Sequence, residues 1–168
     1  TPDFLFIGKT LAAGYGALSA VITTKKISNV IKKVQGRLQH TTTYQGHSLS
    51  AAAALAVQKT VNNKNFLNHV NQLGNHMRNI LFSELKDHEF FFDVRGRGLR
   101  FSFEYKCRNR DSFSEKLGQT LREKHSILIS SKFHRACFTP PLILKKTEAE
   151  ASLDVYIQEF KKLASNWT

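Results

Sequence analysis

The sequence has very little cysteine. Cys107 and Cys137 are its only two cysteines, and neither belongs to a CxxC pair or to a Cys/His ligand pattern. A scaffold held by disulfides is therefore excluded, and seven scattered histidines without an HExxH motif give no support to a zinc site. We predict free thiols, no bound metal, and a cytoplasmic or other reducing intracellular location.

Long apolar runs are also lacking. No stretch approaches the roughly 20 apolar residues that a membrane-spanning helix needs, and the first residues carry no basic region that leads into an apolar one. Apolar residues still make up 41% of the chain and include 13 phenylalanines, which is enough for a packed core. These features predict a soluble globular chain with no membrane partner and no export signal.

Acidic residues are few. There are 13 of them against 25 lysines and arginines, which gives a net charge of +12. Such a charge attracts polyanions, so nucleic acid is a partner to weigh. The lysines, however, form separate pairs without a dense basic block or interleaved aromatic residues; the pairs are Lys25-Lys26, Lys32-Lys33, Lys145-Lys146 and Lys161-Lys162. A solvated basic surface is favoured over nucleic-acid binding, and if the chain is part of a larger protein, the balancing acids can lie in its other part.

The apolar periodicity predicts an α/β fold. Short or alternating apolar runs indicate strands, and apolar residues three or four positions apart indicate helices. The predicted strands are 4–7 (buried), 17–23, 90–94, 99–104 and 127–129, with one more ahead of Pro140. The predicted helices are 25–33, 48–60, 63–85 and 112–124, with a last one from Thr147.

Helix ends and one turn carry local signals. Thr24 and Ser48 are predicted N-caps, and Thr147 with Glu150 has the spacing of a capping box. The segment 95–98 is predicted to be a hairpin turn made by its two glycines, with its two arginines solvated or paired. The long helix 63–85 is expected to connect two domains, 1–86 and 87–168.

One lysine follows an apolar strand directly. Lys9 comes after the run 4–7 and enters a turn that contains Gly14 and Gly16. A lysine becomes nucleophilic when desolvation or a neighbouring cation favours its neutral amine, since only that form attacks a carbonyl. The apolar run predicts that Lys9 is buried, and a solvated loop lysine is the ordinary alternative. Lys9 is thus a candidate Schiff-base nucleophile.

Four segments, in this order along the chain, resemble those of one enzyme family. They are the lysine segment 2–21, Thr43-Tyr44-Gln45-Gly46-His47-Ser48-Leu49 with Ala51–Ala54 behind it, Val94-Arg95-Gly96-Arg97-Gly98-Leu99, and Thr139-Pro140-Pro141-Leu142. The chain is similar over nearly its whole length to the C-terminal half of the class III pyridoxal-phosphate aminotransferases, the fold-type I group that includes omega-amino acid and ornithine transaminases. Each segment alone is weakly specific, whereas four in the same order are strongly specific.

The resemblance implies a fold, a cofactor and a reaction. The fold would be a remnant of the large-domain sheet of a fold-type I transferase, 1–86, followed by a small α+β domain, 87–168. Lys9 would hold pyridoxal 5'-phosphate as a Schiff base and move a proton while an amino group passes from a small amino donor to a keto acid. In the homodimer that the family forms, Thr43, or its neighbour Thr42, would reach the phosphate of the cofactor held by the neighbouring subunit. An ordinary helix-capping loop is the alternative for these threonines.

The sequence departs from the family pattern at two places. Arg135 is a candidate ligand for a substrate carboxylate, because a guanidinium binds carboxylates through two hydrogen bonds. The ornithine-type pattern, however, has its arginine three residues before the first proline, where Cys137 stands, so a surface role for Arg135 is the alternative. In addition, the family places its first phosphate turn, its ring-stacking aromatic residue and its pyridine-nitrogen aspartate upstream of the lysine strand, so this chain alone is expected to be badly impaired.

Two functions follow from these observations. The chain is expected to be a fragment or truncated form of a transaminase, although relatives with the same lysine arrangement include aminomutases and decarboxylases. The alternative is a non-catalytic truncated relative that acts as a binding or interaction module, with its exposed sheet edge covered by another chain.

Overall fold

The computed structural model describes residues 2–167, without the side chain of Lys132. The chain forms two compact units, Thr1–Phe66 and Leu67–Thr168, which are called unit 1 and unit 2 below. The domain boundary after residue 86 that the sequence predicts remains a prediction. Every helix within residues 2–167 is too short or too polar to cross a bilayer.

Unit 1 begins with an antiparallel ribbon of two strands, β1 (Phe4–Ile7) and β2 (Ala20–Thr23). The register pairs Phe4 with Thr23. Both strands were predicted, but the predicted burial of the first one is wrong, since Phe6 is 76% exposed. The physical reason is that a sheet of two strands leaves both of its faces open.

The first helix of unit 1 is α1 (Lys25–Gln35), which begins where the sequence predicts and ends two residues later. Thr24 is the N-cap, and its Oγ1 accepts a hydrogen bond from the Ile27 N–H at 3.3 Å. Gly36 terminates the helix with a φ of 71°, which a residue with a Cβ adopts only with strain.

The second helix of unit 1 is α2 (Ser48–Val61). Its N-cap is His47, whose Nδ1 accepts a hydrogen bond from the Ser50 N–H at 3.3 Å. The prediction that Ser48 caps this helix is therefore wrong by one residue, because an imidazole nitrogen can accept the same hydrogen bond as a hydroxyl oxygen.

Unit 2 combines three helices with a four-stranded antiparallel sheet. The strands are β3 (Phe91–Arg97), β4 (Arg100–Tyr105), β5 (Ser130–Lys132) and β6 (Arg135–Phe138), in the sheet order β3-β4-β6-β5. The helices are α3 (Lys64–Leu85), α4 (Arg110–His125) and α5 (Lys146–Ala164). The predicted strand ahead of Pro140 is confirmed as β6.

The hydrophobic core of unit 2 lies on one face of its sheet. Phe101, Phe103 and Tyr105 alternate along β4 with side chains of the other face, and all three are buried. The hydroxyl groups of Tyr105 and Tyr156 lie 2.9 Å apart within this core. Burial raises the pKa of both phenols, so the pair stays neutral and each hydroxyl has a partner.

Two glycines of unit 2 are required by close backbone approach. A Cβ on Gly74 of α3 would overlap the carbonyl group of Gly98, and a Cβ on Gly96 would overlap the backbone of Phe101. Gly96 therefore lies inside β3, and only Gly98, with a φ of 54°, belongs to the turn. The prediction that both glycines make the turn is corrected, because the strands extend further than their apolar pattern.

Two other predicted elements are shifted along the chain. The apolar segment 127–129, which was predicted to be a strand, does not pair with the sheet, because β5 starts only at Ser130. Ile127 and Ile129 pack against the core instead. The predicted capping box of α5 is also displaced: Glu148 accepts a hydrogen bond from the Lys145 N–H at 2.9 Å, and position 147 is already helical. The helix thus starts where the Glu148 carboxylate accepts a hydrogen bond from a free backbone N–H, and not at the hydroxyl of Thr147.

Candidate active site

Lys9 lies one residue beyond β1, after Gly8, at the first position of a 3₁₀ turn, Lys9–Ala12. Its φ of 52° is in the left-handed region, which costs a residue with a Cβ about 1–2 kcal/mol. Lys9 is exposed, so the burial expected from the preceding apolar run is not found. The turn thus presents a primary amine at a strained backbone position at the end of a strand.

The backbone of this turn is fixed on α2. Gln58 Nε2 donates a hydrogen bond to the carbonyl oxygen of Leu11 at 3.1 Å. Ala12 is fully buried, and a Cβ on Gly16 would stand 3.0 Å from the Cα of Ser50. Small residues on both elements therefore let the turn and the helix pack closely. Gln58 was missed in the sequence, because a glutamine on a helix gives no signal until its partner is known.

Thr42 and Thr43 lie in the loop that leads into α2, and both are exposed. The loop is a turn over Thr43–Gly46, in which the Gln45 N–H donates to the Thr42 carbonyl oxygen at 3.0 Å and Gly46 has a φ of 71°. His47, rather than a threonine, caps the helix. Both hydroxyl groups are therefore presented to solvent, one turn ahead of a helix N-terminus, where the helix dipole favours an anion.

Arg135 lies in unit 2, on β6. Ala136 and Phe138 of this strand are buried, so alternation places Arg135 and Cys137 together on the opposite face of the sheet. Arg135 is exposed on that face, and the Sγ of Cys137 lies 3.3 Å from the Oγ of Ser102. The position at which the ornithine-type pattern has an arginine thus carries a thiol that pairs with the hydroxyl of Ser102, and Arg135 lies two residues upstream in the sequence.

A buried carboxylate beside Arg135 was missed in the sequence. Glu104, the cross-strand partner of Arg135, is 3% exposed. Arg95 donates hydrogen bonds to Glu104 Oε1 and, at 2.9 Å, to Asp93 Oδ2. His134 Nε2 lies 3.6 Å from the same Glu104 oxygen. This cluster links β3 to β4. Arg95 is therefore paired, which is one of the two alternatives, solvated or paired, that the sequence predicted for it.

The two cysteines are free thiols, and Cys107 is half-buried. Burial raises the pKa of the Cys107 thiol, which lowers its thiolate fraction and hence its reactivity. Within residues 2–167, His, Cys, Asp and Glu side chains do not come together in any group of three that could hold a metal ion. The assignment of Lys9 as the nucleophile remains a prediction.

The family model for aminotransferase class III matches residues 1–160. The chain belongs to this family. The resemblance drawn from the four sequence segments is thereby confirmed.

Several aminotransferases are similar to the chain in sequence. An aminotransferase of Gibberella zeae is 33% identical over 104 residues, which cover 62% of the chain and 20% of that protein. The ornithine aminotransferase of Plasmodium yoelii yoelii is 29% identical over 162 residues, and gamma aminobutyrate transaminase 2 of Solanum lycopersicum is 30% identical over 171. Each of these two matches covers 95% of the chain and 37% of the relative, so the chain spans less than two fifths of their length.

Solved transaminase structures share the fold. One from work on directed evolution by ancestral reconstruction superposes with a TM-score of 0.89 at 23% identity, over 100% of the chain and 39% of that protein. The ornithine aminotransferase of Toxoplasma gondii superposes with a TM-score of 0.84 at 25% identity, over 98% of the chain and 38% of that protein. That second structure has partial occupancy of pyridoxal phosphate at its own active site. The mixed α/β fold of the class III transaminases is thus confirmed over a fragment of their length.

Proposed function

We propose that the chain is the C-terminal part of a pyridoxal-phosphate-dependent transaminase in which Lys9 is the catalytic lysine. The observation that carries the proposal is the exposed Lys9 at a left-handed backbone position, in the turn that follows β1, in a class III aminotransferase chain. Strained positions that the surrounding structure maintains occur mainly at functional sites. Here the hydrogen bond from Gln58 and the buried Ala12 maintain the turn.

The residues of unit 1 fit this cofactor. Its aldehyde requires a primary amine, which Lys9 presents, and its phosphate requires hydroxyl or N–H donors, which Thr43 and Thr42 present ahead of α2. When bound, pyridoxal phosphate supplies the electron sink that stabilises negative charge on the substrate carbon. The chain supplies attachment, orientation and the movement of a proton.

Lys9 would act as a general acid and base through its Nζ. The Nζ of Lys9 would take the proton from the amino-bearing carbon of the donor and hold it for return. A lysine in a tethered turn suits this role, because the backbone of the turn stays in place while the four-carbon side chain moves. The fixed turn on α2 therefore serves the reaction by confining where Nζ can reach.

The remaining ligands would come from outside the lysine turn. Thr43, with Thr42 as its neighbour, would bind the phosphate of the cofactor held by the second subunit of a homodimer. Arg135, which is exposed on the polar face of the unit 2 sheet, would bind the carboxylate of the keto acid or amino acid. The Arg135 assignment fits amino donors and keto acids that carry a carboxylate.

Binding of pyridoxal phosphate, measured by equilibrium dialysis, tests this function. The wild-type chain should bind the cofactor, Lys9→Ala should lose most of the affinity, and Thr43→Val should weaken it about 10–100-fold, as expected for one lost hydrogen bond to a charged group. Thr41→Val, in the same loop, is the matched control and should bind like the wild type. Equal binding by all four proteins, or no binding by any, would favour the non-catalytic interaction module.

A further inference from the structure

A groove on unit 2 lies between α4 and the segment 128–131, and its volume is about 330 Å³. Its α4 side is made by residues that recur at three and four positions and so share one face of the helix: Glu115, Gly118, Gln119 and Arg122. Its other side is made by Leu128, Ile129 and Ser131. Ligand pockets begin at about 300 Å³, so this one, called the α4 groove below, suits a small molecule.

A hydroxyl group in the wall of the α4 groove lacks a hydrogen-bond partner. The Oγ of Ser131 is shielded from solvent, and no group of the described chain hydrogen-bonds to it. Buried hydroxyl groups almost always have a partner, because an unpaired one bears its whole desolvation penalty. The Ser131 hydroxyl is therefore an unused donor beside the groove, which the acceptor oxygen of a ligand would satisfy.

This hydroxyl lies against a glycine of α4. A Cβ at position 118 would stand 2.5 Å from the Oγ of Ser131 and 3.9 Å from the Cγ2 of Ile129. The helix has glycine at this interior position although glycine is a poor helix former. Because Gly118 carries no side chain, Ser131 fits against the helix and the groove stays open beside it.

Charges of opposite sign stand at the two ends of the groove. Glu115 and Arg122 are both exposed, and their seven-residue spacing separates them by about 10 Å along the helix axis. The carboxylate that approaches Arg122 is that of Glu123, at 4.0 Å, which is beyond hydrogen-bond range. An exposed ion pair at this distance contributes little, so the Arg122 guanidinium is available to a better-placed anion.

The surface between the two charges is apolar. Leu128 is 83% exposed there, and Ile129 lies partly buried beside it. A matching ligand thus carries a cation and an anion at opposite ends of an apolar chain. A polyanion would be repelled by Glu115, and an amino acid with its amine beside its carboxylate cannot reach both ends.

We propose that the α4 groove binds a free, unbranched amino acid whose amine is at the opposite end of the chain from its carboxylate. Arg122 pairs with the carboxylate, and the Ser131 hydroxyl turns toward the groove and donates to the same group. Glu115 pairs with the ammonium group, and the methylene chain covers Leu128 and Ile129. The inference concerns unit 2 alone and holds whether or not Lys9 is catalytic, so it goes beyond the proposed function.

Titration of the cofactor-free chain with 5-aminopentanoate, followed by ¹H–¹⁵N NMR, is the first part of the test. The amide resonances of Gly118 and Ser131 should shift, and Lys9→Ala should bind with the wild-type affinity, because Lys9 is not part of the groove. This arm separates the inference from the proposed function, which predicts a loss in Lys9→Ala for pyridoxal phosphate alone. Binding that leaves both amides unshifted, or that is lost in Lys9→Ala, would overturn the inference.

Three compounds related to 5-aminopentanoate test the chemistry of the ligand. Norvaline is its isomer, with the amine beside the carboxylate, and should bind about tenfold more weakly, because it can use only one end of the groove. Pentanoate and pentylamine each lack one charge, and each should bind about threefold more weakly or worse. Equal affinity for the two isomers would contradict the requirement for separated charges.

Variants of the groove complete the test. Arg122→Met should weaken binding of 5-aminopentanoate about tenfold, whereas Arg110→Met, at an exposed position of α4 outside the groove, should not change it. Ser131→Ala removes an unpaired hydroxyl, so the urea midpoint should stay the same or rise while the affinity falls about threefold or more. A lower urea midpoint with unchanged affinity in Ser131→Ala, or equal affinities of the two arginine variants, would overturn the proposal.

Discussion

Gln58 Nε2 donates a hydrogen bond to the carbonyl oxygen of Leu11 at 3.1 Å and so ties helix α2 to the turn that carries Lys9. The two residues are 47 positions apart in the sequence. The bond satisfies a carbonyl group of a turn whose first residue is in a left-handed conformation. It is therefore the contact through which α2 controls the position of the lysine backbone.

Loss of this hydrogen bond should loosen the lysine turn. Gln58→Leu keeps the length of the side chain but removes the donor, which costs about 1 kcal/mol for a partly buried hydrogen bond. We expect the Ala13 N–H, which donates to the Thr10 carbonyl within the turn, to exchange about fivefold faster. Gln119→Leu on α4 is the matched control, since Gln119 bonds only to exposed Glu123. An unchanged Ala13 rate in Gln58→Leu would show that the bond does not hold the turn.

Removal of Arg95 should destabilise unit 2 through Glu104. Arg95→Met leaves a carboxylate that is 3% exposed without its guanidinium, and an uncompensated buried charge is costly. Because Arg95 itself is largely exposed and His134 stays near, we expect a loss of about 1–3 kcal/mol in the free energy of unfolding, measured in urea. Arg97→Met, at an exposed position of the same strand, should change it by less than about 0.5 kcal/mol.

The double variant separates a charge effect from a packing effect. Arg95→Met combined with Glu104→Gln removes the stranded charge, so most of the lost stability should return. A double variant as unstable as Arg95→Met alone would mean that the guanidinium stabilises the sheet by packing rather than by pairing with Glu104.

Gly74 should tolerate no side chain. A methyl group at this position would overlap the carbonyl of Gly98, so α3 would have to move away from the β3–β4 turn. We expect Gly74→Ala to lower the free energy of unfolding by about 2–3 kcal/mol despite the better helix propensity of alanine. Asn79→Ala, exposed on the same helix, gains propensity without a clash and should be neutral or stabilising. A stabilised Gly74→Ala protein would contradict the close approach.

Unit 2 should lose stability on mild acidification because of His88. Burial lowers the pKa of this imidazole below its usual 6.5; Glu89 opposes the shift and Lys161 adds to it. The unfolded state then binds more protons than the folded state, so stability is present above about pH 6.5 and is lost as the pH falls from there through the lowered folded-state value. The ring also packs edge-on against Phe160, with centroids 5.0 Å apart.

Urea unfolding at about pH 7.5 and about pH 5 measures this effect. His88→Asn preserves an acceptor for the Phe90 N–H and should reduce the pH-dependent loss by about 0.5 kcal/mol, a small value because His88 is only partly buried. His40→Asn, in an exposed loop, is the control and should retain the wild-type dependence. The same pH dependence in all three proteins would rule out His88 as its source.

Most elements were predictable from the sequence, because their signals are local. The apolar periodicity of α3 and the cap at Thr24 depend on neighbours a few residues away, and both predictions are confirmed. The exposure of β1 and the burial of Glu104 were not predictable in this way, since both depend on how many strands or side chains cover each position. The same applies to Gly96, whose role depends on a backbone segment across the sheet.

The candidate site divides in the same manner. Lys9 and Thr43 could be proposed from short motifs. Their roles stay predictions, because the structure gives the positions of these residues and not what they bind. Gln58 and the Glu104 cluster became visible only through contacts between distant residues. Cys137 was noted from its distance to Pro140, but its pairing with Ser102 required the sheet register.

The most direct test of the account is to locate the lysine that reacts with pyridoxal phosphate. The chain is incubated with the cofactor, reduced with borohydride and digested, and the modified peptide is identified by mass. We predict modification at Lys9, lost in Lys9→Ala and retained in Lys26→Ala, which removes an exposed lysine of unit 1. Modification scattered over the surface lysines, or unchanged in Lys9→Ala, would contradict the assignment of Lys9 as the catalytic lysine.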